Sequence, residues 1–144
     1  MPEPRWLGVF VEDRIDEKAA DYLVEAGYPK AVADQLGPTI SHIVLVRDGA
    51  EFVQIIVTPA AQRSVARRFV MDEWQATPDP FQGDITVRSI YRWDELCRTL
   101  QSSFETTDGH KFSVDFVYND NFTKITKYRR AGQVEAVQQM HRIA

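Results

Sequence analysis

The chain has 144 residues, 44% hydrophobic and 26% charged, and its 17 basic against 21 acidic side chains give a net charge of -4. That length suits a single domain over 1–144 with its own core. The acidic balance argues against a nucleic-acid partner, whose binding domains are usually basic.

Trp6 to Glu12 reads as an opening strand. From Ile15 to Leu36 the period changes: Ala19, Tyr22, Leu23 and Ala26 recur at spacings of three and four, which predicts a helix with one apolar stripe. Asp16 suits its N-cap, and Gly27 suits a C-terminus that needs positive φ. Pro29 fits the first turn of a second helix, which Gly37-Pro38 stops. Thr39 to Arg47 and Glu51 to Thr58 are rich in β-branched residues around Asp48-Gly49, a strong hairpin signal. Pro59 ends that hairpin.

Ala60 to Gln75 is compatible with helix or strand, and Thr77-Pro78-Asp79-Pro80 ends it either way. Ile85 to Trp93 alternates as a strand. Asp94 to Phe104 places Leu96, Cys97, Leu100 and Phe104 on one helical face, while its neighbours favour strand. Turns at Thr106 to Gly109, Asn119 to Asn121 and Ala131-Gly132 separate Lys111 to Tyr118, Phe122 to Arg129 and Val134 to Ile143. The last has helix-forming composition but follows a run of strands. With no connection long enough for a parallel crossover, the order predicts a mainly β fold. The expected architecture is a ten-stranded antiparallel up-and-down β-barrel, capped by a helix-turn-helix lid over about 15–36.

Several stretches resemble the intracellular lipid-binding family, the fatty-acid and retinoid carriers. Trp6-Leu7-Gly8-Val9-Phe10 is similar to the family's aromatic–x–Gly opening strand. Asp21-Tyr22-Leu23-Val24-Glu25-Ala26-Gly27 resembles its first-helix motif. Pro38-Thr39, Asp48-Gly49, Phe69 to Asp79 and Val87 to Gln101 follow in the family's order, and this favours strand for Asp94 to Phe104. The resemblance covers essentially the whole chain and implies a non-enzymatic, cytoplasmic, monomeric carrier of a small hydrophobic ligand such as a lipid. Ligand would enter beneath the helical pair near Tyr22, Leu23 and Ala26 and near Thr58-Pro59, with transient membrane contact through the lid.

The resemblance also implies ligand contacts at Tyr22, Leu23, Thr58, Trp74, Thr99, Gln101, Phe116, Gln138 and Met140. The family's carboxylate-holding Arg–x–Tyr pair falls on Gln138 and Met140, and a further Arg position falls near Phe116. None of these is a cation, and Gln cannot reproduce a bidentate guanidinium clamp. The expected ligand is therefore neutral, weakly polar, or anchored differently, with Arg98, Lys127 and Arg142 as spare cations. The pairs Arg67-Arg68 and Arg129-Arg130 read as solvated strand faces.

Chemistry is sparse. His42, His110 and His141 stand at no ligand spacing, so neither metal nor cofactor is expected. Cys97 reads as a buried, inert thiol that forms no internal disulfide. Asp72-Glu73 reads as a solvated strand end, and no phosphate loop or nucleophile elbow is present. No apolar run approaches the roughly 20 residues needed to cross a bilayer, and MPEPRWLG does not read as a signal peptide.

Two other readings compete. One is a heat-soluble protective protein using the same barrel without an obligatory lipid, as the abundant heat-soluble proteins of tardigrades resemble lipid carriers in fold. The other is a small α+β cone-fold enzyme, which requires helices at Ala60 to Gln75, Asp94 to Phe104 and Val134 to Ile143.

Overall fold

The computed structural model describes residues 3–144. Its first strand, β1 (Gly8–Glu12), leads into helices α1 (Ala19–Glu25) and α2 (Lys30–Leu36). Eight strands follow, consecutive ones paired except β4 and β5: β2 (His42–Asp48), β3 (Glu51–Thr58), β4 (Arg63–Phe69), β5 (Gln75–Pro78), β6 (Thr86–Asp94), β7 (Thr99–Thr106), β8 (Lys111–Tyr118) and β9 (Lys124–Ala131). The last strand is β10 (Val134–Arg142).

All ten strands belong to one antiparallel sheet in the order β4-β3-β2-β1-β10-β9-β8-β7-β6-β5. β1 pairs with both β2 and β10, which joins the two ends of the chain and curls the sheet into a barrel. Closure leaves one seam, where β4 and β5 share no ladder. Side chains seal it. Phe69 of β4 stacks on Tyr91 of β6 with ring centroids 3.8 Å apart. The amide N–H of Asp72 donates to the Tyr91 carbonyl at 2.8 Å.

None of the three ambiguous stretches forms an α-helix, and each supplies a strand. Ala60 to Gln75 forms a short 3-10 turn at Pro59–Ala61 and then β4; the region after Asp94 forms a turn and β7; the C-terminal piece is β10. Sheet pairing on both sides overrides the helical composition of Val134 to Ile143, because tertiary context outweighs a weak local propensity. The cone-fold enzyme loses its three required helices.

Three local expectations also change. Lys18, not Asp16, holds the N-cap position of α1 and makes no side-chain cap bond. Asp16 instead accepts from the Lys18 N–H at 2.7 Å and from the Val137 N–H, which ties the lid's entry to β10. At the first hairpin Asp48 pairs with Glu51, so the turn is Gly49-Ala50, with Gly49 at φ +65°. Cys97 lies exposed in the β6–β7 turn, because an acidic turn rather than a helix carries it. Gly27 takes φ +101°, and the Tyr28 N–H closes α1 onto the Leu23 carbonyl at 3.0 Å, as a helix C-terminus needs.

One half of the barrel is solid. Trp6 lies against Phe52, Phe69 and Trp93, and Tyr118 packs edge-on to Phe10 while its hydroxyl donates to the Trp6 carbonyl at 2.9 Å. With Leu45, Leu100, Ile125 and Met140 fully buried beside them, these rings plug the end opposite the lid. Because Phe69 serves both plug and seam, Phe69→Ala should cost about 3–5 kcal/mol, the usual range for emptying a buried aromatic site. Urea unfolding would show this as a lower midpoint, and a shift within experimental error would contradict the role given to the ring.

Candidate ligand-binding site

Between the plug and the helices the inward side chains leave a cavity of about 130 Å³. Its apolar wall includes Ile43, Ile56, Val65, Phe104, Phe112 and Phe116, and Tyr22 and Leu23 of α1 form part of the roof. The wall follows from period two: inward residues of each strand alternate with outward ones, so Phe112, Val114 and Phe116 of β8 line the space together. The roof is fastened at several points. Gln82 Nε2 donates to the Gly27 carbonyl at 3.0 Å, Arg63 Nε donates to Gln35 Oε1 at 2.9 Å, and Tyr28 meets Phe81 edge-on.

The same alternation brings charge inside. Arg67 of β4, Lys127 and Arg129 of β9, and Glu12 of β1 all face the cavity. Lys127 and Glu12 form a buried ion pair, and the Ser41 N–H also donates to the Glu12 carboxylate. Burial, helped by the nearby Arg129 charge, outweighs Glu12 and brings the Lys127 pKa down to about 8. Arg129 Nη2 donates to Gln138 Oε1 at 2.6 Å, yet its buried Nε has no partner among the described residues. A donor left so costs about 1–3 kcal/mol. Burial raises the pKa of the Tyr22 phenol, beneath Arg129, so it stays protonated. Near Arg67, the Tyr91 hydroxyl donates to Gln54 Oε1 at 2.7 Å.

Of the residues proposed from sequence, Tyr22, Leu23, Thr58, Phe116 and Gln138 line this cavity. Met140 is inward and fully buried, but it belongs to the plug. Thr99 and Gln101 occupy the outward parity of β7, where Leu100, Ser102 and Phe104 point in; Gln101 is exposed and Thr99 bonds the Cys97 carbonyl. Trp74 is 43% exposed and carries the Arg88 guanidinium on its ring. These three therefore lie outside the cavity.

The cations are distributed otherwise than the sequence suggested. Arg67 and Arg129 face inward and only Arg68 and Arg130 face solvent, because adjacent residues of a strand take opposite faces. Of the three spare cations only Lys127 reaches the cavity. Arg98 bonds the Tyr118 carbonyl in a turn, and Arg142 bonds the carbonyls of Arg5 and Leu7 at the far rim. The signal for Arg67 was present in the weak alternation of Val65, Arg67 and Phe69. Among the described residues, no group of three or more His, Cys, Asp or Glu side chains could hold a metal ion, and no helix is long and apolar enough to cross a membrane.

No family model matches the chain, and no curated protein matches its sequence. Solved structures do match its fold. A secretory abundant heat soluble protein from Ramazzottius varieornatus superposes with a TM-score of 0.82 at 16% identity, covering 99% of this chain and 98% of its own. Apo lipid binding protein 8 from Caenorhabditis elegans gives 0.81 at 12% identity, with 96% of each chain covered. A fatty acid binding protein from Schistosoma mansoni, in complex with arachidonic acid, gives 0.79 at 11% identity over 97% of each chain. The fold is thus that of the fatty-acid-binding protein-like calycin barrels.

The buried ion pair has a measurable consequence. Lys127→Met leaves the Glu12 carboxylate buried and unpaired and should destabilise by about 3–5 kcal/mol, whereas Glu12→Gln with Lys127→Met should recover most of the loss. Folded Lys127 releases its proton near pH 8 and unfolded Lys127 keeps it to about 10.5. Over that window the unfolded state binds more protons, so wild-type stability relative to the double variant should rise with pH. Chemical denaturation at pH 7 and pH 10 measures both effects. A difference that is flat or falling with pH would refute the assignment.

Proposed function

Starting from a lipid-binding-type calycin barrel with two helices over one end, we propose that this protein is a non-enzymatic carrier. It reversibly holds a small hydrophobic molecule, a fatty acid or another compact lipid, in the cavity beneath the lid. The observation that carries this reading is the unfilled apolar space itself. Cores are close-packed and single voids are small, so about 130 Å³ bounded by Ile43, Ile56, Val65 and Phe116 on one side and Tyr22 and Leu23 on the other is unusual. Each Å² of apolar ligand surface removed from water there contributes about 25 cal/mol before association costs.

Exchange runs past the lid's fastenings near Thr58 and Arg63, where the Arg63–Gln35 bond joins β4 to α2. The lid carries Asp16, Glu17, Asp21, Glu25 and Asp34 against Lys18 and Lys30. Contact with a neutral surface through exposed Val24 is therefore favoured over adhesion to an anionic bilayer. The exposed free thiol of Cys97 suits a reducing, cytoplasmic setting, and a sheet with one seam and few free edges suits a monomer.

The cavity is smaller than the about 300–1,000 Å³ of drug-sized pockets, and this favours a second reading in which the barrel works as a protective scaffold without an obligatory ligand. One titration separates the two. A neutral fluorescent probe, N-phenyl-1-naphthylamine, should bind saturably at one site, and Ile56→Trp, which fills the cavity, should weaken it by about tenfold or more. No saturable binding, together with a clean ligand-free mass in native mass spectrometry, would sink the carrier reading and leave the scaffold.

A further inference from the structure

We propose that Lys127 is a reversible covalent capture site for a compact apolar aldehyde, which it holds as an imine with Glu12 as counterion. This rests on the reading that the cavity admits a small hydrophobic molecule, and it names the functional group of that molecule.

Lys127 is set apart from the other lysines. Lys18, Lys30, Lys111 and Lys124 are exposed, whereas the Lys127 side chain keeps only 6% of its surface and lines the cavity. Its partners across the two flanking ladders, Phe116 on β8 and Gln138 on β10, line the same space. Among the described residues, Nζ has the Glu12 carboxylate as its one hydrogen-bond partner, although an ammonium carries three donors. A buried ion pair is often no more stabilising than apolar residues of similar volume. Stability alone therefore gives no reason for an amine at this place in the wall.

The surroundings favour the neutral, nucleophilic form. Arg129 of the same strand and Glu12 of β1 are the charged groups acting on Nζ, and burial together with Arg129 outweighs Glu12. With the pKa brought down to about 8, roughly a tenth of the amine is neutral at pH 7, against well under a thousandth for an ordinary lysine. A guanidinium stays charged and could not serve. Lysine amines activated by burial are the ones that form imines with carbonyl compounds.

Glu12 is placed to carry the proton. Its carboxylate takes one from the ammonium, and the amine lone pair then forms the C–N bond while the C=O π pair moves onto oxygen. A proton passes from nitrogen to that oxygen and gives a neutral carbinolamine. Glu12 returns its proton to the hydroxyl, the C–O bond breaks, water leaves, and the nitrogen lone pair closes the C=N bond. One ammonium and one aldehyde thus give one iminium and one water, with no oxidant or reductant consumed. The iminium keeps the charge that Glu12 balanced at the start, and the Ser41 N–H holds the carboxylate throughout. Ile43, Ile56 and Phe116 offer the chain of the aldehyde an apolar wall. The roof, fastened through Gln82 and Arg63, limits the water that would hydrolyse the imine.

The test treats the wild type at pH 7 with equimolar hexanal and sodium cyanoborohydride, which reduces an iminium to a stable secondary amine. Peptide mapping by mass spectrometry then locates the hexyl groups. Lys127 should be labelled about tenfold or more above each exposed lysine, as its larger neutral fraction requires. N-phenyl-1-naphthylamine at about ten times its Kd should cut the Lys127 label about tenfold and leave the exposed lysines unchanged. Without the reductant, dilution should return the unmodified mass. Labelling no higher at Lys127 than at the exposed lysines, a Lys127 label that the probe does not block, or an adduct that survives dilution overturns the imine site. Probe binding with no label on Lys127 overturns that site alone and leaves the carrier. Absence of both overturns the carrier reading, and the imine site with it.

Discussion

Alternation along a sheet that closes on itself is the constraint on which this molecule depends. β1 is bonded to β2 on one side and β10 on the other, so its register cannot slip without breaking two ladders. Once it is set, every second residue of each strand is committed to the interior. The interior then divides. Towards one end the committed residues are Trp6, Phe10, Phe69, Trp93 and Tyr118, whose rings fill the available space. Towards the helices smaller or polar residues, among them Thr58, Val65, Ser102 and Gln138, share the wall with Phe104, Phe112 and Phe116, and the space between them stays open. Plug and cavity are two results of one register.

The lid and the charges follow from that division. Helices as short as α1 and α2 are not stable alone. Tyr22, Leu23 and Ala33 become buried where the barrel end offers apolar surface, and the Asp16, Gln82 and Arg63 contacts fix the angle. Beneath this roof the guanidiniums of Arg67 and Arg129 are tolerated because each lies on an aromatic face and Gln138 satisfies part of one. The Lys127–Glu12 pair spans β9 to β1 and ties the closing strand to the wall. Such a pair adds little net stability but makes the loss of either partner costly.

Much of the fold was legible because strands and turns carry local signatures. Phe112, Val114, Phe116 and Tyr118 alternate, and Gly27 and Gly49 stand where positive φ is needed. The middle of the chain was less legible. Arg63 to Phe69 has basic residues on both parities, so its pattern hides which side faces in, and the two arginine pairs read as solvent-facing. Asp94 to Phe104 has a helical apolar face that tertiary pairing ignores. Trp74 and Gln101 were placed in the site by likeness of position, but no local feature of a residue states which parity a closing sheet will turn inward.

The sequence by itself determined that this chain forms consecutive antiparallel strands with a helical pair after the first. Period, turn chemistry and apolar content act over a few residues and need no partner. Only the tertiary structure decided which cations share the cavity. Arg67 and Arg129 are 62 positions apart in the numbering and come to one roof through the ring wall of Phe104, Phe112 and Tyr22. That meeting depends on barrel closure and on the register of every intervening hairpin, quantities that no single stretch of residues encodes.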